Sequence, residues 1–159
     1  MTRKEQYNQL ILQIAGLIKD ETNLVGILAN VSAALHDTFP ERFFWVGFYL
    51  QENGNMLRLG PFQGSVACYV IPFGKGVCGK AWEEGCTLIV PDVENFPGHI
   101  ACSSLSRSEI VVPMYDDSHT FRGVLDIDST RLNDFNEDDK EGLERIIELL
   151  MAETQDLFQ

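Results

Sequence analysis

Apolar residues near the N-terminus recur at spacings of three and four. Tyr7, Leu10, Ile11, Ile14, Leu17 and Ile18 form one stripe, and Leu24, Ile27, Leu28, Val31 and Leu35 form another. This periodicity predicts two amphipathic helices, each burying one face. Thr22, in "KDET", is a candidate cap for the second helix, and Pro40 closes the helical region. The pattern then turns strand-like. "RFFWVGFYL" and "MLRLGPF" flank the turn "ENGN" and read as a hairpin. "VACYVIPF" and "TLIVPDV" read as further strands, and "GKGVCGKAWEEG" as a glycine-bounded loop entering a short helix near Val77. "EIVVPMYDD" and "FRGVLDIDS", joined by a turn at "DDSHT", form a second hairpin. A last helix starts near Asn136, with Leu143, Ile146, Ile147 and Leu150 inward and its acids outward.

Strands outnumber helices and pair mostly through hairpins. The expected fold class is therefore α+β: a single domain over residues 1–159, with one mainly antiparallel central sheet and helices packed on one face. No repeat or linker divides the chain. Residues 72–108 carry little regular structure for their length, and such a stretch inside a compact domain is usually functional.

Composition narrows the function classes. The chain can bury one core without staples, and it has no apolar run of membrane-spanning length. Its first residues lack the apolar core of a secretory signal, so a cytoplasmic location is expected, where structural disulfides are rare. The net charge of -12 argues against a nucleic-acid groove, which needs clustered Lys and Arg. Neither nucleic acid nor a membrane is an expected partner. The acids of "NDFNEDDKEGLERIIE" read as a solvated helix face.

Four cysteines then need an explanation. Cys102 lies in the loop "PGHIACSSLSRSEIVVP", Cys68 in a strand-like run, Cys78 at the turn "GVCG", and Cys86 in "EEGCTL" without a companion. None forms a C-x-x-C pair, and a site of Cys68, Cys78, His99 and Cys102 would match no common zinc spacing, so no bound metal is expected. Each thiol is either a buried, inert small hydrophobe or, in the loop-rich middle, a nucleophile. A reactive Cys102 needs a helix N-terminus or a cation to lower its pKa. "CSSLSRSE" offers a short helical turn beginning at Cys102, with Ser103 and Ser104 to cap or donate. His99 reads as exposed or hydrogen-bonded, with no role the chemistry requires.

Asp126 and Asp128, two apart on a strand, leave the same face. The ordinary reading is that both face solvent. Hairpin pairing also allows Glu109 to join them. Three carboxylates in one pocket would repel, hold protons near neutral pH, and suit a ligand with an ammonium group or a divalent metal. Trp45 and Tyr49, four apart on a strand, share a face and are either core or the wall of a small pocket.

Taken together, "GPFQGSVAC", "GKGVCG", "VPDVENFPGHIAC", "SEIVVP" and "GVLDIDS" resemble the motif set of free methionine-(R)-sulfoxide reductases, which are single GAF-type domains. The resemblance runs from about Trp45 to Ser129. It implies that Cys102 is the catalytic cysteine, that Cys68 is the main resolving cysteine and Cys78 a secondary one, and that Cys86 stands outside the motif. It implies further that Glu109, Asp126 and Asp128 bind substrate and that Trp45 and Tyr49 form an aromatic cage. In the implied reaction a thiolate attacks the sulfoxide sulfur while an acid protonates its oxygen. A sulfenic acid and then a disulfide follow, reset by thioredoxin or by dithiothreitol in vitro, with no bound cofactor. The implied partners are the free amino acid and thioredoxin, and GAF domains commonly pair through helices, which allows a homodimer. The alternative is a GAF-type small-ligand-binding or redox-sensing module on the same fold.

Overall fold

The two N-terminal stripes become helices α1 (Arg3–Ile18) and α2 (Leu24–Thr38) in the computed structural model, which describes residues 1–100 and 102–158. Ala101, inside the "HIAC" motif, and Gln159 lie outside the described residues. Thr2 caps α1: its hydroxyl accepts from the Glu5 amide while the Glu5 carboxylate accepts from the Thr2 amide. The expected cap of α2 is corrected. The cap position falls one residue later, on Asn23, which makes no side-chain cap bond. The Glu21 carboxylate takes the amides of Thr22 and Asn23 instead. Leu17, read as part of the inward stripe of α1, stands 42% exposed at the helix's outer edge.

Six strands follow: β1 (Trp45–Glu52), β2 (Met56–Gln63), β3 (Val70–Pro72), β4 (Leu88–Val90), β5 (Ser108–Tyr115) and β6 (Phe121–Ser129). They form one antiparallel sheet in the order β3-β2-β1-β6-β5-β4. The strand read over "VACYVIPF" shrinks to its last part. Only Val70–Pro72 pairs, against Met56–Arg58, and the chain before it leaves the sheet edge. That departure positions Cys68, as described below. Helix α3 (Gly76–Glu84) and helix α4 (Glu137–Thr154), capped by Asn136, complete the domain.

Alternation along the strands sorts the two faces. Val46 and Phe48 of β1, Ile110, Val112 and Met114 of β5, and Leu125 and Ile127 of β6 point to the side covered by α1, α2 and α4. The three long helices thus share one face, as expected. Short α3 lies on the other, where Val77 and Ala81 pack with Ile71, Val90, Val111 and Val124. Covering this second face with one short helix and irregular chain leaves room for a pocket.

One acid of α4 points inward against the expected pattern. Asp139, fully buried, accepts from Arg3 (2.7 Å), the Tyr7 hydroxyl (2.7 Å), Arg42 (3.1 Å) and the Asn136 amide (2.9 Å). Arg42 also binds Asp134, which receives the Ser129 hydroxyl and donates its own amide to Ser108. A buried carboxylate is stable only with such a full set of partners. Asp139→Ala leaves the buried Tyr7 hydroxyl without its acceptor, and leaves Arg42, among Phe39, Phe43 and Phe135, with Asp134 as its remaining carboxylate partner. It is expected to cost about 3–5 kcal/mol in urea unfolding; a loss below about 1 kcal/mol would show that the network is not needed.

Candidate active site

Strand register builds the floor of the pocket. Asp128 of β6 lies opposite Trp45 of β1 on one side and Glu109 of β5 on the other, so the three side chains form a row across the sheet. In the next row on the same face Asp126 sits between Gly47 and Val111. Glu109 and Asp126 are buried and Asp128 is half-buried, so the solvent-facing reading of the two aspartates is overturned: this face carries α3 and a loop layer. Cys78, in the first turn of α3, closes over the row. Its Sγ and the nearest carboxylate oxygens of Glu109 and Asp126 all lie within 4.8 Å of one another. Asp126 Oδ1 is buried with no hydrogen-bond partner among the described residues.

The aromatic wall comes from β1. Trp45 and Tyr49 stack with ring centroids 5.8 Å apart, and Phe62 of β2 stacks on Trp45 at 5.1 Å. Gly47 makes the second stack possible, because a Cβ there would overlap Phe62. The polar tips of both aromatics hold the segment that left the sheet edge. Trp45 Nε1 donates to the Ser65 carbonyl and the Tyr49 hydroxyl to the Cys68 carbonyl, each at 3.0 Å. Cys68 is thereby held beside the pocket, where it is disulfide-bonded to Cys102, a lining residue. The loop carrying Cys102 is seated by Ile100, which packs on Gly76 at the start of α3. The partly open cavity between these elements is about 40 Å³, room for roughly three water molecules. Tyr49, Cys78, His99, Cys102, Glu109 and Asp126 all line it.

Comparison with known proteins places this geometry. Residues 21–152 match the GAF domain family. The free methionine-R-sulfoxide reductase of Saccharomyces cerevisiae is 42% identical over 155 residues, covering 94% of this chain and 86% of that protein. The chain belongs to the GAF domain family and, within it, to the free methionine-R-sulfoxide reductases. GAF domain-containing protein A of Dictyostelium discoideum is 56% identical over 149 residues, covering 94% and 92% of the two chains. The free methionine-R-sulfoxide reductase of Neisseria meningitidis, solved in complex with its substrate, superposes with a TM-score of 0.93 at 46% identity, covering 98% and 92%.

For a reductase of this family the electrostatics of the pocket matter as much as its shape. Burial, and then the charges of Asp126 and Asp128, push the Glu109 carboxyl well above the usual carboxylate range. Asp128 is also raised well above it, by burial and then by Asp126. Asp126 is raised by burial, but the adjoining Glu109 carboxyl and Cys78 thiol and the nearby His99 pull it back. Burial and the same acids push the Cys78 thiol up. The three carboxyls titrate together and retain protons that isolated carboxyls would have lost.

Two sequence readings change here. No helical turn begins at Cys102: the chain bends there, and Ser103 Oγ accepts from the Leu105 amide within a tight turn. A helical turn at Cys102 itself is therefore not what would activate this thiol. His99, set aside in the sequence, lines the cavity with Nε2 at 3.7 Å from Glu109 Oε1. Burial lowers its pKa. Its place in the loop, close before Cys102, was the available signal. Cys86 is exposed and away from the pocket. Among the described residues no helix is long and apolar enough to cross a membrane.

The raised carboxyls also predict a pH dependence of stability. Because the fold raises the Glu109 pKa, the folded state holds protons that the unfolded chain releases. The stabilising contribution is fully present in acid and is lost as pH rises toward the folded pKa. Glu109→Gln should therefore gain melting temperature relative to the parent protein between about pH 5 and pH 8. A difference that stays flat, or shrinks with pH, would contradict the cluster.

Proposed function

We propose that this protein reduces free L-methionine-(R)-sulfoxide to L-methionine with its own thiols. The observation that carries the reading is a Cys68–Cys102 disulfide on a pocket whose floor is a cluster of proton-holding carboxyls. The names of relatives in yeast and Neisseria support the same substrate.

In the reduced enzyme the Cys102 thiolate attacks the sulfoxide sulfur while a carboxyl passes its proton to the oxygen. The sulfide leaves as methionine, and the oxygen ends on Cys102 as a sulfenic acid. The Cys68 thiol attacks that sulfur, water departs, and the disulfide closes. A dithiol, thioredoxin in the cell or dithiothreitol in vitro, takes the disulfide by exchange and restores both thiols. Cys78 is the secondary thiol, since burial beside acids keeps it protonated and a poorer attacker than Cys68. A thioredoxin-recycled enzyme belongs in a reducing compartment such as the cytoplasm.

Glu109 is the proton donor in this reading, because burial and the charges of Asp126 and Asp128 together hold a proton on it. Asp126 meets the substrate's α-ammonium, which would satisfy the unpartnered Oδ1. Asp128 touches both tasks through its place in the row. A residue within a protein chain has no free ammonium, and that restricts the substrate to the free amino acid. Trp45 and Tyr49 hold the S-methyl group, and its fit beside the oxygen selects the R epimer. With the disulfide closed Cys102 has no thiolate to attack the substrate, so reduction, which also frees the Cys102 loop from Cys68, precedes turnover.

Cys102→Ser is expected to lower turnover of the free R-sulfoxide by on the order of a thousandfold or more. Cys68→Ser should complete one turnover and then recycle slowly with thioredoxin. Glu109→Gln should cost about 100-fold or more in kcat. N-acetylation of the substrate should cost at least about 2 kcal/mol in kcat/KM. Full activity of Cys102→Ser, or equal use of the acetylated substrate, would overturn the assignment.

A further inference from the structure

The pocket holds one group the proposed reaction does not require, the Cys78 thiol. We propose that the reduced pocket is also a site for a thiophilic divalent cation of the zinc class, held by Cys78, Glu109 and Asp126. The three come from α3, β5 and β6, and their ligand atoms already lie within 4.8 Å of one another. All three side chains are buried, so the site is walled off rather than a chance grouping of surface acids. A second observation points to a cation. Asp126 Oδ1 is buried, lines the cavity, and has no donor among the described residues. A metal ion or an ammonium group would satisfy it equally; only the metal would use the thiol.

The donor set decides the class of ion. One thiolate sulfur and two carboxylate oxygens make a three-ligand tetrahedral site with an open fourth position, which suits zinc. Magnesium and calcium take oxygen ligands and gain nothing from sulfur. His99 stands at the rim, with Nε2 at 3.7 Å from Glu109 Oε1, as the nearest further donor. On binding, Cys78 and any protonated carboxyl release their protons to solvent, and the dication takes the place of those protons among mutually repelling acids. No electron is transferred. The site itself rests on geometry alone; only its consequence for activity rests on the proposed reductase reading. Zinc would compete with the ammonium of methionine sulfoxide for Asp126 and with its sulfoxide oxygen for Glu109, making zinc a reversible inhibitor.

Cys68 and Cys102, once reduced, can chelate zinc themselves, so the test removes them. The Cys68→Ser/Cys86→Ser/Cys102→Ser variant keeps Cys78 as its sole thiol and is titrated with Zn²⁺, and with Co²⁺ as a spectroscopic probe. One equivalent should bind, with a thiolate-to-cobalt charge-transfer band in the near ultraviolet. Adding Cys78→Ser should abolish that band and weaken zinc by more than the roughly 10–100-fold that losing a mere supporting partner costs. Asp126→Asn in the same background should weaken zinc while the band persists at saturation. This second variant decides the matter if the Cys78 change prevents folding, as judged by circular dichroism. No binding by the sole-thiol variant, binding unaffected by Cys78→Ser, or unchanged affinity in Asp126→Asn would overturn the proposal. Free methionine sulfoxide should displace the zinc. If zinc sits on Cys78 but is not displaced, the proposed inhibition fails while the metal site stands, and the substrate assignment itself is decided by the turnover assays.

Discussion

Three carboxyl groups held side by side on one sheet face repel one another, and the rest of the structure is arranged around that repulsion. Glu109 and Asp128 are cross-strand neighbours and Asp126 lies in the adjacent row. With Glu109 and Asp126 buried and Asp128 half-buried, ionising all three is unfavourable, so protons remain among them. The same feature that makes this arrangement costly makes it useful. It provides an acid at a pH where free carboxylates are bases, beside the buried and unpartnered Oδ1 of Asp126.

The cost is carried by the opposite face of the sheet. There α1, α2 and α4 pack a continuous apolar core against β1, β5 and β6, and the Asp139–Arg42 network ties both chain ends to it. That network reaches the site. Arg42 holds Asp134, and Asp134 joins Ser129 and Ser108, the strand-end pair adjacent to Asp128 and Glu109. One face of the sheet thus stabilises the domain and fixes the register. The other face is left to irregular chain, which sets Cys68 on the tips of Trp45 and Tyr49 and brings Cys102 to it.

Much of this was legible in the sequence, for physical reasons that can be named. The long helices announced themselves through stripes such as Leu10, Ile14 and Ile18, whose period is set by burial of one face. The two hairpins did so through turn residues and alternation, and the second hairpin already suggested that Glu109 could meet Asp126 and Asp128. Where local pattern misled, tertiary structure had overruled it. "VACYVIPF" has a strand's composition, yet only Val70–Pro72 joins the ladder. The Leu59 amide still holds the Tyr69 carbonyl at the sheet edge, and the bond from the Tyr49 hydroxyl to the Cys68 carbonyl carries the chain before it over the pocket. Asp139 sits in a run of acids that looks solvated, and only its distant partners Arg3, Tyr7 and Arg42 make it a buried anchor. His99 is a loop histidine like any other until the fold sets it beside Glu109. Such contacts depend on residues far apart in the chain and leave no local trace.

The account depends most on the protonation of the carboxyl row, which can be observed directly. Carbon-13 NMR titration of the side-chain carboxyls of Glu109, Asp126 and Asp128, in folded protein, would follow each group through its own resonance. The account predicts that at least one of the three, Glu109 foremost, is still protonated at neutral pH, and that the three curves are coupled. Three independent curves, each complete within the ordinary carboxylate range, would contradict it.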